Sequence, residues 1–159
     1  MKSSKDIAKE IRGLYKANGI KASVRSDSIS IKVEVKEGSV KKATEIASKF
    51  EYIHRCEASG EILSGGNFYV TVGPCQEMQD AFKKEILAKL EEHSESLKNH
   101  CYAKFELRGK QLQFQPQKGV CYLYIESAEK DSWRWLGRSD YFNLNHAISQ
   151  AVWVVLRES

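Results

Sequence analysis

Four cysteines, four histidines and several neighbouring carboxylates are the side chains in this sequence with chemistry beyond packing. Cys75 leads among them because it follows Gly73-Pro74 where a helical pattern begins. Unpaired N–H groups and the helix dipole favour a thiolate at such a place. A cysteine enzyme also needs a base and a group to orient it, and no motif ties His54, His93, His100 or His146 to Cys75. Zinc sites draw ligands in closely spaced pairs, and His54 with Cys56 is the single pair of that kind. His100 and Cys101 are adjacent, so on a strand they point to opposite faces. Ser64-Gly65-Gly66 lacks the Gly-Lys-Ser/Thr that completes a phosphate loop, and Glu91-Glu92 lies in a Lys- and Glu-rich stretch that reads as a solvated helix face. The expectation is no catalytic residue, no metal and no cofactor, with a small cysteine enzyme built on Cys75 as the outlying alternative.

Binding chemistry is better represented, in aromatic and basic residues. Cys101, Ala103, Phe105 and Leu107 alternate with Tyr102, Lys104 and Glu106, so a core on one side sends Tyr102 and Lys104 outward. Tyr122 and Tyr124 can occupy the same side of another strand, and Trp133, Arg134, Trp135, Arg138 and Tyr141 follow. Rings among cations can stack on unpaired bases, at ~1–3 kcal/mol per base, while Arg and Lys hold phosphates. Trp, Tyr and Arg also dominate protein-binding hot spots. A third reading is structural: a closing helix laid over this face buries Trp133, Trp135, Tyr122 and Tyr124 as core. The predicted contact set is Tyr102, Lys104, Trp133, Arg134, Trp135 and Arg138, with Lys21, Arg25 and Lys32 as a second, basic surface on an early hairpin.

The elements that must position these residues follow from periodicity. Ile7, Ile11, Leu14 and Tyr15 recur at helical spacing, with Ser3 or Ser4 as a cap and Asn18-Gly19 as a stop. Ile20, Ala22 and Val24, then Ile29, Ile31, Val33 and Val35, alternate with polar residues and predict a hairpin across Asp27-Ser28. Gly38-Ser39 opens a helix through Val40, Ala43, Ile46, Ala47 and Phe50, and Asn67 to Val72 returns as a strand. After Gly73-Pro74 one long helix is predicted from about Cys75 to Lys98. Strands around Phe105, Leu112 and Val120–Ile125 follow, with a fourth at Trp133–Leu136 and a last helix capped near Asn143 or Asn145. The fold class is α+β in two halves, α-β-β-α-β over 1–73 and α-β-β-β-(β)-α over 74–159. The sheet is mainly antiparallel, helices pack on it, and the halves share one core.

The 159 residues suffice for a core without staples, and 42% hydrophobic with 29% charged residues is a folded composition. No apolar run approaches the ~18 residues of a spanning helix or forms a secretion signal, so a cytoplasmic chain with no membrane partner is expected. The scattered cysteines then read as free thiols. Net charge is +4 and sits in the first half, where residues 1–73 hold 13 Lys/Arg against 9 Asp/Glu while residues 74–159 hold 12 of each. A surplus of that size accommodates phosphate or an acidic protein without specifying either.

One stretch also resembles a known module. Asp6-Ile7-Ala8-Lys9-Glu10-Ile11-Arg12, Ile20-Lys21-Ala22-Ser23-Val24-Arg25-Ser26, Ser28-Ile29-Ser30-Ile31-Lys32-Val33 and Val40 through Phe50 resemble a small α+β module of the large polyvalent protein-associated domains. The likeness covers about residues 5–72. It implies a context of phages and conjugative elements, some of whose proteins counter host defences, and it carries over no catalytic residue. The resulting expectation is a non-enzymatic accessory protein of a phage or mobile element that binds and occludes a host protein, with a nucleic-acid-binding module as the rival.

Overall fold

The computed structural model describes residues 2–63, 65–99, 101–117, 120–126, 133–140 and 145–158, with backbone alone for 137–140. It is an α+β protein that divides into two compact units, Met1–Cys75 and Gln76–Ser159. The predicted element order is present in each half, except that the first helix of the second half is divided in two.

The first unit begins with α1 (Ser4–Ala17), whose N-cap Ser3 accepts a hydrogen bond from the Asp6 N–H at 3.2 Å. The helix ends at Asn18, and Gly19 takes a φ of 68° there. β1 (Lys21–Ser26) and β2 (Ser30–Glu37) form the expected antiparallel hairpin. Asp27 organises its turn, accepting from the Ile29 and Ser30 N–H groups at 2.9 and 2.7 Å. α2 (Val40–Ala47), capped by Ser39, runs into a short 3₁₀ turn at Ser48–Phe50. β3 (Tyr69–Pro74) then pairs parallel to β2, which completes a βαβ crossover. The sheet order is β1-β2-β3.

Alternate residues Val24, Ile31, Val33, Val35 and Val72 are buried beneath α1 and α2, which contribute Ala8, Ile11, Tyr15, Val40, Ala43 and Ala47. The Tyr15 hydroxyl donates to the Ala43 carbonyl at 3.0 Å and joins the two helices. Burial pushes its pKa up to about 12. Two expected core positions differ. Leu14 and Ile29 are exposed, because the buried stripe of α1 runs through Ala8, Ile11 and Tyr15 and because Ile29 precedes the strand, in the Asp27 turn. Strand β3 also starts at Tyr69 instead of Asn67. Phe68 instead makes an isolated bridge to Tyr52, and a second bridge joins Arg55 to Ile62 in a stretch where the sequence predicts no element.

In the second unit the single predicted helix is two helices, α3 (Gln76–Glu92) and α4 (Ser94–Lys98). The break lies at His93, whose φ of −102° and ψ of 12° leave the helical region. Its ring stacks on Phe105 with centroids 5.8 Å apart, so the break lets the chain turn back over the sheet. β4 (Ala103–Leu107), β5 (Lys110–Gln117), β6 (Val120–Glu126) and β7 (Trp133–Asp140) form an antiparallel meander in that order. α5 (Asn145–Glu158) closes the unit. Phe82, Ile86 and Leu90 of α3 and Ile148, Val152, Val155 and Leu156 of α5 cover one sheet face, against Phe105, Leu112, Phe114, Leu123 and Ile125. Each such side chain contributes about 1.5–3 kcal/mol by leaving water.

Candidate binding surface

The sheet β4–β7 is built so that one face is core and the other is not. Ala103, Phe105, Leu112, Phe114, Pro116, Cys121, Leu123 and Ile125 are buried beneath the helices, while the residues between them carry polar and aromatic groups. Directly opposed residues share a face. Lys104 opposes Gln113, Gln113 opposes Tyr124, and Tyr124 opposes Trp135, which makes one cross-strand row over all four strands. Gln115 and Tyr122 continue the surface beside it.

A bulge in β7 decides what joins this face. Tyr124 opposes Trp135 but Leu123 opposes Gly137, so Leu136 is the additional residue and packs on the core side. Trp133 and Trp135 therefore lie on the outer face, opposite Glu126 and Tyr124. Trp135 is 59% exposed and Tyr102, just before β4, is 60% exposed. The Lys104 Nζ sits 4.9 Å from the centre of the Trp133 ring, a cation–π contact that orders both side chains on the surface. The reading in which the closing helix buries these rings is overturned, since α5 packs on the opposite face.

Arg134 does not join them. It opposes Ile125 and turns to the helix side, where its guanidinium pairs with Glu158 of α5. Lys110 reaches the same carboxylate at 3.1 Å. Partial burial pushes the Glu158 pKa up, but its hydrogen bonds and charge interactions with Arg134 and Lys110 outweigh this and leave it below the ordinary carboxylate value. Arg134 thus fastens β7 to the last helix. Arg138 is opposite Tyr122 in register, its side chain lying outside the described residues together with His100, Ser64 and Tyr141.

On the first unit Arg25 and Lys32 are directly opposed on the exposed face, and Lys32 is held by Glu34 at 3.2 Å. Lys21 stands at the other end of β1, paired with Glu37 at 2.5 Å. The predicted basic trio is therefore a pair plus a separate lysine.

The cysteines divide by environment. Cys75 precedes α3, is 7% exposed, and its backbone N–H donates to Val35 at 2.8 Å. Cys121 is also buried, which pushes its pKa up to about 11. Cys56 is half-buried in the turn before Ser59, whose hydroxyl, with the Ser59 and Ala58 N–H groups, lowers its pKa. His54 is engaged by the Tyr52 hydroxyl at 2.7 Å. Among the described residues no three His, Cys, Asp or Glu side chains are grouped to hold a metal ion, and no helix is long and apolar enough to cross a membrane.

Compared with family models, curated proteins and solved structures, the chain matches none.

Proposed function

We propose that the chain is a non-enzymatic binding protein whose second unit engages a protein partner through the outer face of β4–β7. The supporting observation is the exposed aromatic row itself. Trp135 and Tyr102 are more than half exposed, and Tyr122, Tyr124 and Trp133 flank them on a sheet face that neither α3 nor α5 covers. Exposed rings of this kind cost solubility unless a partner uses them, and Trp and Tyr supply much contact area with few rotatable bonds.

Charge favours a protein over nucleic acid at this face. With Arg134 turned to Glu158, Lys104 is the cation of the face among the described side chains, Arg138 stands opposite Tyr122 on that face in register, and Glu106 and Glu126 on the same strands balance them, so the face is mixed in charge and not basic. Stacking on unpaired bases needs cations to hold the phosphates between them. Glutamines 111, 113 and 115 offer neutral donors and acceptors, which suit a peptide surface.

The resemblance of residues 5–72 to the polyvalent-associated module supports a place for this chain among accessory proteins of phages and mobile elements. The partner is then a host protein that the chain occludes, a role that needs surface complementarity and no reaction. The test is capture by the tagged full chain over a salt series with and without nuclease. Retention of a stoichiometric protein through high salt and nuclease is the expected result. Loss of all bound material to nuclease or moderate salt would transfer the assignment to nucleic acid.

A further inference from the structure

The first unit carries a second concave feature with a different chemistry. A cleft of about 450 Å³ lies between the C-terminal end of α1 and the adjoining ends of β1 and β2, lined by Arg12, Lys16, Lys21 and Lys36 around Tyr15 and Ile20. Four cations converge there and no carboxylate lines the space. Of the four, Lys21 is paired with Glu37.

Ordinary structural roles do not account for this convergence. Basic residues often end helices because they bond the last free carbonyls. In α1 the Leu14, Tyr15 and Lys16 carbonyls already accept from the backbone N–H groups of Asn18, Gly19 and Ile20, and the Asn18 side chain adds a bond to Leu14 at 2.8 Å. The Lys16 ammonium is left over, and among the described residues it takes part in no ion pair, nor does Lys36. Lys36 is the additional residue of a bulge, since Lys21 opposes Glu37 while Ala22 opposes Val35. A bulge re-aims the side chain it inserts, and Lys36 is among the residues that line the cleft. Arg12 is anchored by donation to the Val24 carbonyl at 2.6 Å, which leaves other N–H donors of its guanidinium unused. An anion among these groups would relieve their mutual repulsion and collect both a forked donor and point charges.

We propose that this cleft is a phosphate-binding site, taking either a backbone phosphate of nucleic acid or a compact free phosphorylated compound. It is separate from the aromatic face and does not depend on what that face binds.

The test uses the full chain and two probes titrated separately at low salt, a short fluorescent single-stranded DNA and inorganic pyrophosphate. Lys16→Gln with Lys36→Gln is compared with Lys41→Gln and Lys42→Gln, a pair of exposed lysines on α2 that removes the same charge outside the cleft. The cleft pair is expected to weaken the bound probe ~10-fold and, for the single-stranded DNA, to lower the salt slope by about 1.4, while the α2 pair changes affinity less than ~2-fold. Pyrophosphate that binds and displaces DNA at matched ionic strength assigns the site to compact phosphates. DNA that binds and resists pyrophosphate assigns it to nucleic acid. Equal weakening by both lysine pairs, or binding of neither probe, overturns the proposal.

Discussion

Single residues decide which chemistry each surface offers. The Glu158 pKa is depressed by Arg134 and Lys110, so its stabilising contribution is present above the ordinary carboxylate value near ~4.3 and is lost as pH falls through the lower folded value. Glu158→Gln is predicted to cost less than about 1 kcal/mol at neutral pH, given partial exposure, and to flatten the acid limb of a urea-unfolding pH series. Tyr15 behaves in the opposite direction. Its raised pKa means that the buried neutral phenol stabilises fully below the ordinary ~10 and ceases to do so as pH rises through about 12. Tyr15→Phe should cost about 1 kcal/mol at neutral pH through the lost bond to Ala43 and remove this alkaline loss. At this scale the sequence was partly legible. Outward placement of Tyr102 and Lys104 follows from strand alternation, but Arg134 was assigned to the contact set and belongs to the helix side. A one-residue bulge with Leu136 as the inserted residue, and a partner on a distant helix, leave no mark in local periodicity.

The elements show where local signals were strong. β2 has unbroken alternation from Ile31 to Val35, and α1 and α2 have the serine caps that were expected, so the first unit was readable almost element by element. The stretch from Tyr52 to Phe68 was not, because its pairing rests on two isolated bridges in place of a continuous ladder and leaves no alternation to read. The break at His93 was equally silent, since no glycine or proline marks it and tertiary packing on Phe105 holds it. The β4–β5 turn gives a test at this level. Arg108 and Gly109 both have positive φ, at 51° and 72°, as the tight two-residue hairpin turn demands. An arginine there is strained by about 1 kcal/mol. Its guanidinium lies 4.6 Å from the Phe82 ring centre and pairs with Glu85 at 2.8 Å, which ties the turn to α3 and offsets the strain. Arg108→Ala should keep the strain, lose both contacts and cost about 1–2 kcal/mol in urea denaturation, whereas Arg108→Asn, which tolerates the left-handed region, should cost less.

Over the whole molecule the two units carry different surfaces. The charge surplus read from the first half of the sequence corresponds to a basic cleft on the first unit, and the balanced second half corresponds to an aromatic, glutamine-bearing sheet face. Composition placed the charge surplus in the first half without locating the cleft, and the exposure of the sheet face required knowing on which side α5 packs. The central claim is that this face binds a protein. The most direct measurement compares capture from a nuclease-treated, high-salt bacterial lysate by the wild-type chain and by Trp135→Ala, with Trp153→Ala, an exposed tryptophan on α5, as the control. Trp135→Ala should leave stability within about 0.5 kcal/mol, because the ring is exposed, and reduce capture of the wild-type partner at least ~10-fold. Trp153→Ala should capture it as the wild type does. Capture that is unchanged by Trp135→Ala, or lost equally with Trp153→Ala, would contradict the assignment of the β4–β7 face.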